Sequence, residues 1–293
     1  MKLSDLNASG NYLSFLLKGP WGYGKTIAAA SFAKLGPVFL HYWDKKGPIE
    51  LVQFYKRFDP QVLHNIEYEV YGAHNANEYL NHLMRLSKDC RYVAVIDDSV
   101  TTMTSAAVNW SLGFADNKKP KDKVSIPGFD EYKVETSLVT QALDICRTLP
   151  CHIIWIAHPI PGIKVEGSGS TMRVSKTNPI VTYGSKVAGI IPGQFSEIYH
   201  FSKLNEWDQN AGKSRIKYLV STEQIGDDYA KSNIGLSCEM DITDKLFYDV
   251  WKQEVKKLED KINGIENKPA NPFANMTTAQ TTSNQSDKKP WEK

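Results

Sequence analysis

Along the first 260 residues, short runs of apolar side chains alternate with stretches whose apolar positions recur every three to four residues. Leu13–Leu17, Val38–Trp43, Tyr92–Ile96 and Ile153–Ala157 are nearly continuous apolar runs, the signature of strands buried on both faces. Ile66–Tyr71 alternates, as a strand covered on one face does. Helical spacing predicts helices over Thr26–Leu35, Asn75–Lys88 and Tyr132–Thr148. Strands alternating with helices predict βαβ units: an α/β fold with a mostly parallel sheet and helices on both faces. Ile198–Phe201 and Ile216–Val220 flank the turn Asn210-Ala211-Gly212 and predict an antiparallel hairpin at the sheet edge. A last helix is expected from an N-cap at Thr243, with Leu246, Phe247, Val250, Trp251, Val255 and Leu258 on one face, ending before Gly264.

No internal repeat interrupts this pattern, and it stops near Gly264. Residues 265–293 are too polar to bury a core and are expected to form a disordered tail behind a core of residues 1–264. The tail ends in Lys288-Lys289-Pro290-Trp291-Glu292-Lys293, a solvated terminus or a docking peptide for a replication or recombination protein. With 41% hydrophobic and 23% charged residues in 293, the chain has the balance of a globular protein. No apolar run is long enough to cross a membrane, and Met1-Lys2-Leu3-Ser4-Asp5 lacks the apolar stretch of a signal peptide, so no signal segment is expected. Cys90, Cys146, Cys151 and Cys238 form no CxxC pair, which fits core thiols in a reducing cytoplasm. The net charge of +2 neither demands nor excludes a nucleic-acid partner.

The chemistry concentrates at strand ends. Gly19-Pro20-Trp21-Gly22-Tyr23-Gly24-Lys25-Thr26 matches GxxxxGK[ST] in full, with an apolar strand before it and the helix former Ile27-Ala28-Ala29-Ala30 after it. Average residue frequencies would yield that pattern in roughly one chain of this length in a hundred. Glycines let backbone N–H groups converge on phosphate oxygens, and the helix N-terminus adds positive potential. Lys25 then reaches the terminal phosphates and Thr26 ligates Mg²⁺, so ATP and Mg²⁺ are the expected cofactors. A second strand ends in Asp97-Asp98-Ser99, two carboxylates that need a cation or donors. The hydrophobic run favours Asp97 as the metal-facing acid; the Asp-Ser pairing favours Asp98. A third strand ends in Ala157-His158, placing an imidazole where a parallel sheet meets its ligand. His158 can contact a terminal phosphate or its attacking water.

Behind His158, residues Ile160 to Gly184 read as a long, glycine-rich basic loop carrying Lys164, Arg173 and Lys176, with Lys186 just beyond. These four are candidate contacts to single-stranded DNA. Lys118-Lys119-Pro120-Lys121-Asp122-Lys123 is a second basic stretch.

Taken in order, the P-loop, Asp98-Ser99-Val100-Thr101, Ala157-His158, Ile191–Glu197, and Ser221-Thr222 followed by Ala230-Lys231-Ser232 resemble phage-encoded AAA-type nucleotide-binding proteins with a minimal RecA-like core. Some of these relatives are single-strand annealing recombinases. The resemblance spans about Tyr12 to Ile262 and implies an ATPase in the host cytoplasm. It also implies single-stranded DNA binding behind His158 and head-to-tail homo-oligomers with ATP between subunits. Lys231 matches the lysine that such a neighbour supplies in trans. The glutamate expected after the second strand is replaced by Lys46, leaving Asp44 or the spare acid of Asp97 and Asp98 to polarise water. Slow hydrolysis is thus expected. An AAA+ helicase loader or remodeller and a non-catalytic ATP-binding scaffold are the competing readings.

Overall fold

The computed structural model describes residues 12–44, 47–113, 126–160, 162–166, 173–177, 179–208, 212–223 and 230–263. The Lys118–Lys123 stretch, Lys46 and the 265–293 tail lie outside them. The main sheet is built from β1 (Ser14–Lys18), β2 (Val38–Tyr42), β3 (Ile66–Val70), β4 (Ala94–Asp98), β5 (His152–Ala157), β8 (Glu197–Asp208), β9 (Lys213–Ser221), β10 (Lys231–Ser232) and β11 (Glu239–Asp241). Its order is β11-β9-β8-β1-β5-β4-β2-β3, with β10 on β8. Pairings from β8 through β1, β5, β4 and β2 to β3 are all parallel; β8–β9, β9–β11 and β8–β10 are antiparallel. The expected mixed α/β sheet with an antiparallel edge hairpin is therefore the one found. β5 separates the glycine-rich-loop strand β1 from the acidic strand β4.

Strand periodicity divides the core into two layers. Leu16, Val95, Ile153 and Trp155 face α3 (Ala76–Leu86), α4 (Val100–Ser111), α5 (Phe129–Cys146) and α6 (Ser185–Ile190). Phe15, Leu17, Ala94, Ile96, Ile154 and Ile156 face α1 (Lys25–Ala30), α2 (Ile49–Phe58) and α7 (Phe247–Ile262). No helix among the described residues is long and apolar enough to cross a membrane.

Four details depart from the sequence reading. The helix expected over Thr26–Leu35 is α-helical only to Ala30 and tightens to a 3-10 turn at Ser31–Lys34. α7 begins at Phe247, because the Thr243 hydroxyl accepts the Tyr218 N–H (2.9 Å) and serves the sheet edge instead of a helix cap. The segment behind His158 is not one structureless loop: β6 (Gly162–Glu166) and β7 (Arg173–Thr177) pair as a separate antiparallel ribbon. α2 and α4 were not anticipated, although Ser99 and Thr102 form a reciprocal cap at the start of α4.

α7 closes one face through Trp251, whose ring meets Phe15 edge-on (5.6 Å) and whose Nε1 donates to the Tyr199 hydroxyl (3.1 Å). Trp251→Ala is expected to lower the unfolding free energy by about 3–5 kcal/mol, as loss of a buried aromatic does. Urea denaturation of the full chain measures this; a change below about 1 kcal/mol would detach α7 from the core.

Candidate functional site

The glycines of the loop after β1 are there for space and backbone geometry. A side chain at Gly19 would meet the Phe201 carbonyl oxygen at 2.7 Å, and Gly22 and Gly24 sit at φ 72° and 82°, where a Cβ is strained. The resulting turn feeds directly into α1, so the free N–H groups of a helix start face the rim. Lys25 is nearly buried there. Its Nζ donates to the carbonyls of Gly19 (2.6 Å) and Pro20 (2.8 Å). Burial lowers its pKa to about 8, partly opposed by the charge of Asp98.

Asp98 and Asp97 part company because consecutive strand residues point to opposite faces. Asp98 shares the face of α1, and the Thr26 hydroxyl donates to its Oδ2 at 2.5 Å. Burial pushes its carboxyl up to about 6, while the Thr26 hydrogen bond and Lys25 pull it down and Glu50 and Asp44 push it up. Asp97 lies in the other layer, fully buried, with His41 Nδ1 3.1 Å from its Oδ1. Its nomination as a metal-facing or catalytic acid is corrected: the register of β4 turns it away from the P-loop.

These groups open onto a cavity of about 970 Å³ lined by the P-loop from Trp21 onward, Asp44, Glu50, Asp98, Ser99, Thr102 and His158, together with Arg57, Arg215 and Tyr218. It is large enough for a nucleotide. Asp44 thus reaches the cavity, and so does Glu50, which the sequence reading missed. Glu50 stands in the first turn of α2 and accepts a hydrogen bond from the Tyr42 hydroxyl (3.2 Å). Lys203, also unforeseen, places its ammonium over the rings of Tyr23 (4.8 Å) and Tyr218 (5.0 Å) beside the loop. No local motif marks Glu50, Lys203 or Arg215; only chain crossing brings them to the rim. Thr26 and Asp98 offer hard oxygen ligands of the kind Mg²⁺ takes alongside phosphate oxygens. Among the described residues no cluster of three His, Cys, Asp or Glu would hold a metal without such a ligand.

His158 follows β5 and stacks on the exposed Trp21 ring (centroids 4.9 Å, 22°). Burial, reinforced by the charge of Lys25, lowers its pKa to about 4, so the ring is neutral at physiological pH. Its carbonyl accepts the Val181 N–H (2.8 Å), Ile160 N–H donates to the Pro179 carbonyl (3.0 Å), and Thr101 of α4 donates to the Val181 carbonyl (2.9 Å). The base of the β6–β7 ribbon is therefore tied both to His158 and to the helix that starts beside Asp98. Lys164 lies on β6 and Arg173 and Lys176 on β7, with Glu166 opposite Arg173 in the register. Lys186 opens α6. Lys231, on β10, pairs with Ile198 near the start of β8, whereas the P-loop follows the end of β1. It does not line the cavity of its own chain.

The two adjacent acids are expected to fail differently. Asp97→Ala should lower stability by about 3 kcal/mol, because His41 loses its buried partner. Asp98→Asn should leave urea denaturation nearly unchanged and abolish the Mg²⁺ dependence of polyphosphate binding. Equal effects of both changes on both measurements would contradict the opposed orientation.

No protein-family model and no curated protein sequence matches the chain. Among solved structures, a KaiC-like protein from the hyperthermophilic archaeon Pyrococcus horikoshii aligns over 78% of this chain and 84% of its own, at 12% identity and a TM-score of 0.42.

Proposed function

We propose that the chain is a RecA-like P-loop ATPase that binds Mg·ATP at this rim and uses it to control binding of single-stranded DNA. The observation that carries the nucleotide part is the Thr26–Asp98 contact at 2.5 Å beside Lys25. It brings together the hydroxyl, the carboxylate and the ammonium that a magnesium-bound triphosphate requires. On this reading Lys25 exchanges its loop carbonyls for phosphate oxygens, Thr26 and Asp98 hold Mg²⁺, directly or through water, and Mg²⁺ offsets phosphate charge. Asp44 and Glu50 are the carboxylates within the cavity that can polarise attacking water. The DNA part is supported by the basic residues on the β6–β7 ribbon and by the hydrogen bonds that join its base to His158. Oligomers in which Lys231 completes a neighbour's site, a tail that recruits a partner, and a role in phage recombination or replication belong to the same proposal through the resemblance. A helicase loader with a separate helical lid is disfavoured, because α7 packs directly on Phe15, Phe32 and Tyr199 of the core.

Lys25→Ala should abolish tight Mg·ATP binding while retaining the wild-type urea midpoint. In the wild type the sign of the pH dependence follows from the lowered lysine. Below about pH 8 its ammonium is charged and affinity is full; above it the free protein loses that charge and affinity falls by up to about tenfold per pH unit. Calorimetry in buffers of different ionisation enthalpy should show proton uptake on binding near pH 8.5. Wild-type ATP affinity in Lys25→Ala would sink the nucleotide reading.

His158→Ala tests the coupling. The variant should bind single-stranded DNA but lose the difference between ATP and ADP, measured by fluorescence anisotropy. An undiminished ATP effect would place the coupling elsewhere.

A further inference from the structure

α5 has two faces of different chemistry. Leu138, Val139, Ala142, Leu143 and Cys146 turn into the core, as does Glu135. Phe129, Tyr132, Lys133, Thr136 and Thr140 follow at helical spacing on the outer face, where they form one wall of a groove of about 790 Å³. The second wall is Tyr183 to Lys186, leading into α6. The buried Glu135 joins the walls: its Oε1 accepts the Gly184 N–H at 3.0 Å, holding Tyr183 against α5. The Tyr132 and Tyr183 rings lie 6.0 Å apart at 43°, and Lys133 sits 4.4 Å over the Phe129 ring while pairing with Asp130 at 3.0 Å. Phe129 is 76% exposed and Tyr183 43%.

The lining suits one class of ligand. It contains no aliphatic side chain and no carboxylate; it offers three aromatic rings, two lysines and neutral donors such as Gln141. An amphipathic helix lays a continuous apolar face into a hydrophobic groove, whereas nucleobases need ring faces and their phosphates need cations, the two features that this lining combines. The position agrees. Lys118–Lys123 precedes α5 in the chain, and the β6–β7 ribbon returns to the core at Ile180, three residues before Tyr183. One wall of the groove thus follows the first basic stretch in sequence, and the other follows the ribbon.

We propose that this groove is a base-stacking subsite for single-stranded DNA, in which Phe129, Tyr132 and Tyr183 receive successive bases and Lys133 and Lys186 receive the phosphates between them. The inference rests on the DNA part of the proposed function and adds a sequence-tolerant stacking component to its electrostatic one.

Anisotropy of the full chain with Mg·ATP, using a labelled thymidine oligomer and an abasic oligomer of equal length, tests it. The wild type should bind the thymidine oligomer at least about tenfold more tightly than the abasic one. Phe129→Ala and Tyr183→Ala should each weaken thymidine binding by between about fivefold and a hundredfold and leave abasic binding unchanged; Phe129→Trp should restore it. Lys133→Ala with Lys186→Ala should weaken both oligomers and flatten the log–log salt slope by about 1.4. Both rings are exposed, so the thermal midpoint should not move. If the wild type prefers the thymidine oligomer but the aromatic variants bind it normally, bases stack elsewhere and the groove assignment falls while DNA binding stands. A drop in oligomeric state of Phe129→Ala with unchanged DNA affinity makes the groove a protein interface and overturns it too. Absence of wild-type binding to both oligomers removes the DNA reading itself.

Discussion

Everything at the rim depends on one constraint: β1, β2, β4 and β5 run parallel, so their carboxyl ends emerge on the same edge of the sheet. The P-loop, Asp44, Asp98 and His158 follow those ends, and residues far apart in sequence meet without any contact designed for the purpose. The alternation of strand side chains then selects among them. Asp98 falls on the face where α1 begins; Asp97, one residue earlier, is committed to the opposite core with His41.

Burial tunes the charges that are gathered there. Lys25 and Asp98 are both withdrawn from water, and each is moved toward neutrality, the lysine downward and the carboxyl upward. Their mutual attraction opposes this, while Glu50 and Asp44 load additional negative charge on the same side. A site with one buried ammonium and several converging carboxylates is suited to a ligand that is itself anionic and carries a divalent cation. In such a ligand the phosphates would answer Lys25 and the helix start, and the cation would answer Asp98 and Thr26.

The rim is also joined to the outer parts of the molecule by short, identifiable links. His158 contacts the P-loop through Trp21 and the ribbon base through Val181, while Thr101 ties the same segment to the helix capped at Ser99. Beyond that base, Glu135 fixes Tyr183 and Gly184 against α5. The strand ends and the groove are thus joined by hydrogen bonds at Val181 and Gly184, three residues apart on one segment. These links are the physical basis for expecting two ligands to sense each other.

By itself, the sequence determined the α/β alternation, the buried strands, the edge hairpin and the glycine-rich GxxxxGK[ST] loop. Each of these is encoded locally, in a continuous apolar run, a helical period or a glycine spacing. It could not choose between Asp97 and Asp98, since both end the same apolar run and only the register of β4 against its neighbours sets which face each one takes. It read the segment behind His158 as a loop because glycines hide the pairing of two short strands, and it put the last helix's cap at Thr243, whose hydroxyl tertiary contact diverts to Tyr218. Glu50, Lys203 and the aromatic groove on α5 were invisible for a common reason. Their significance lies in what faces them across the fold, and only the tertiary structure brings those partners together.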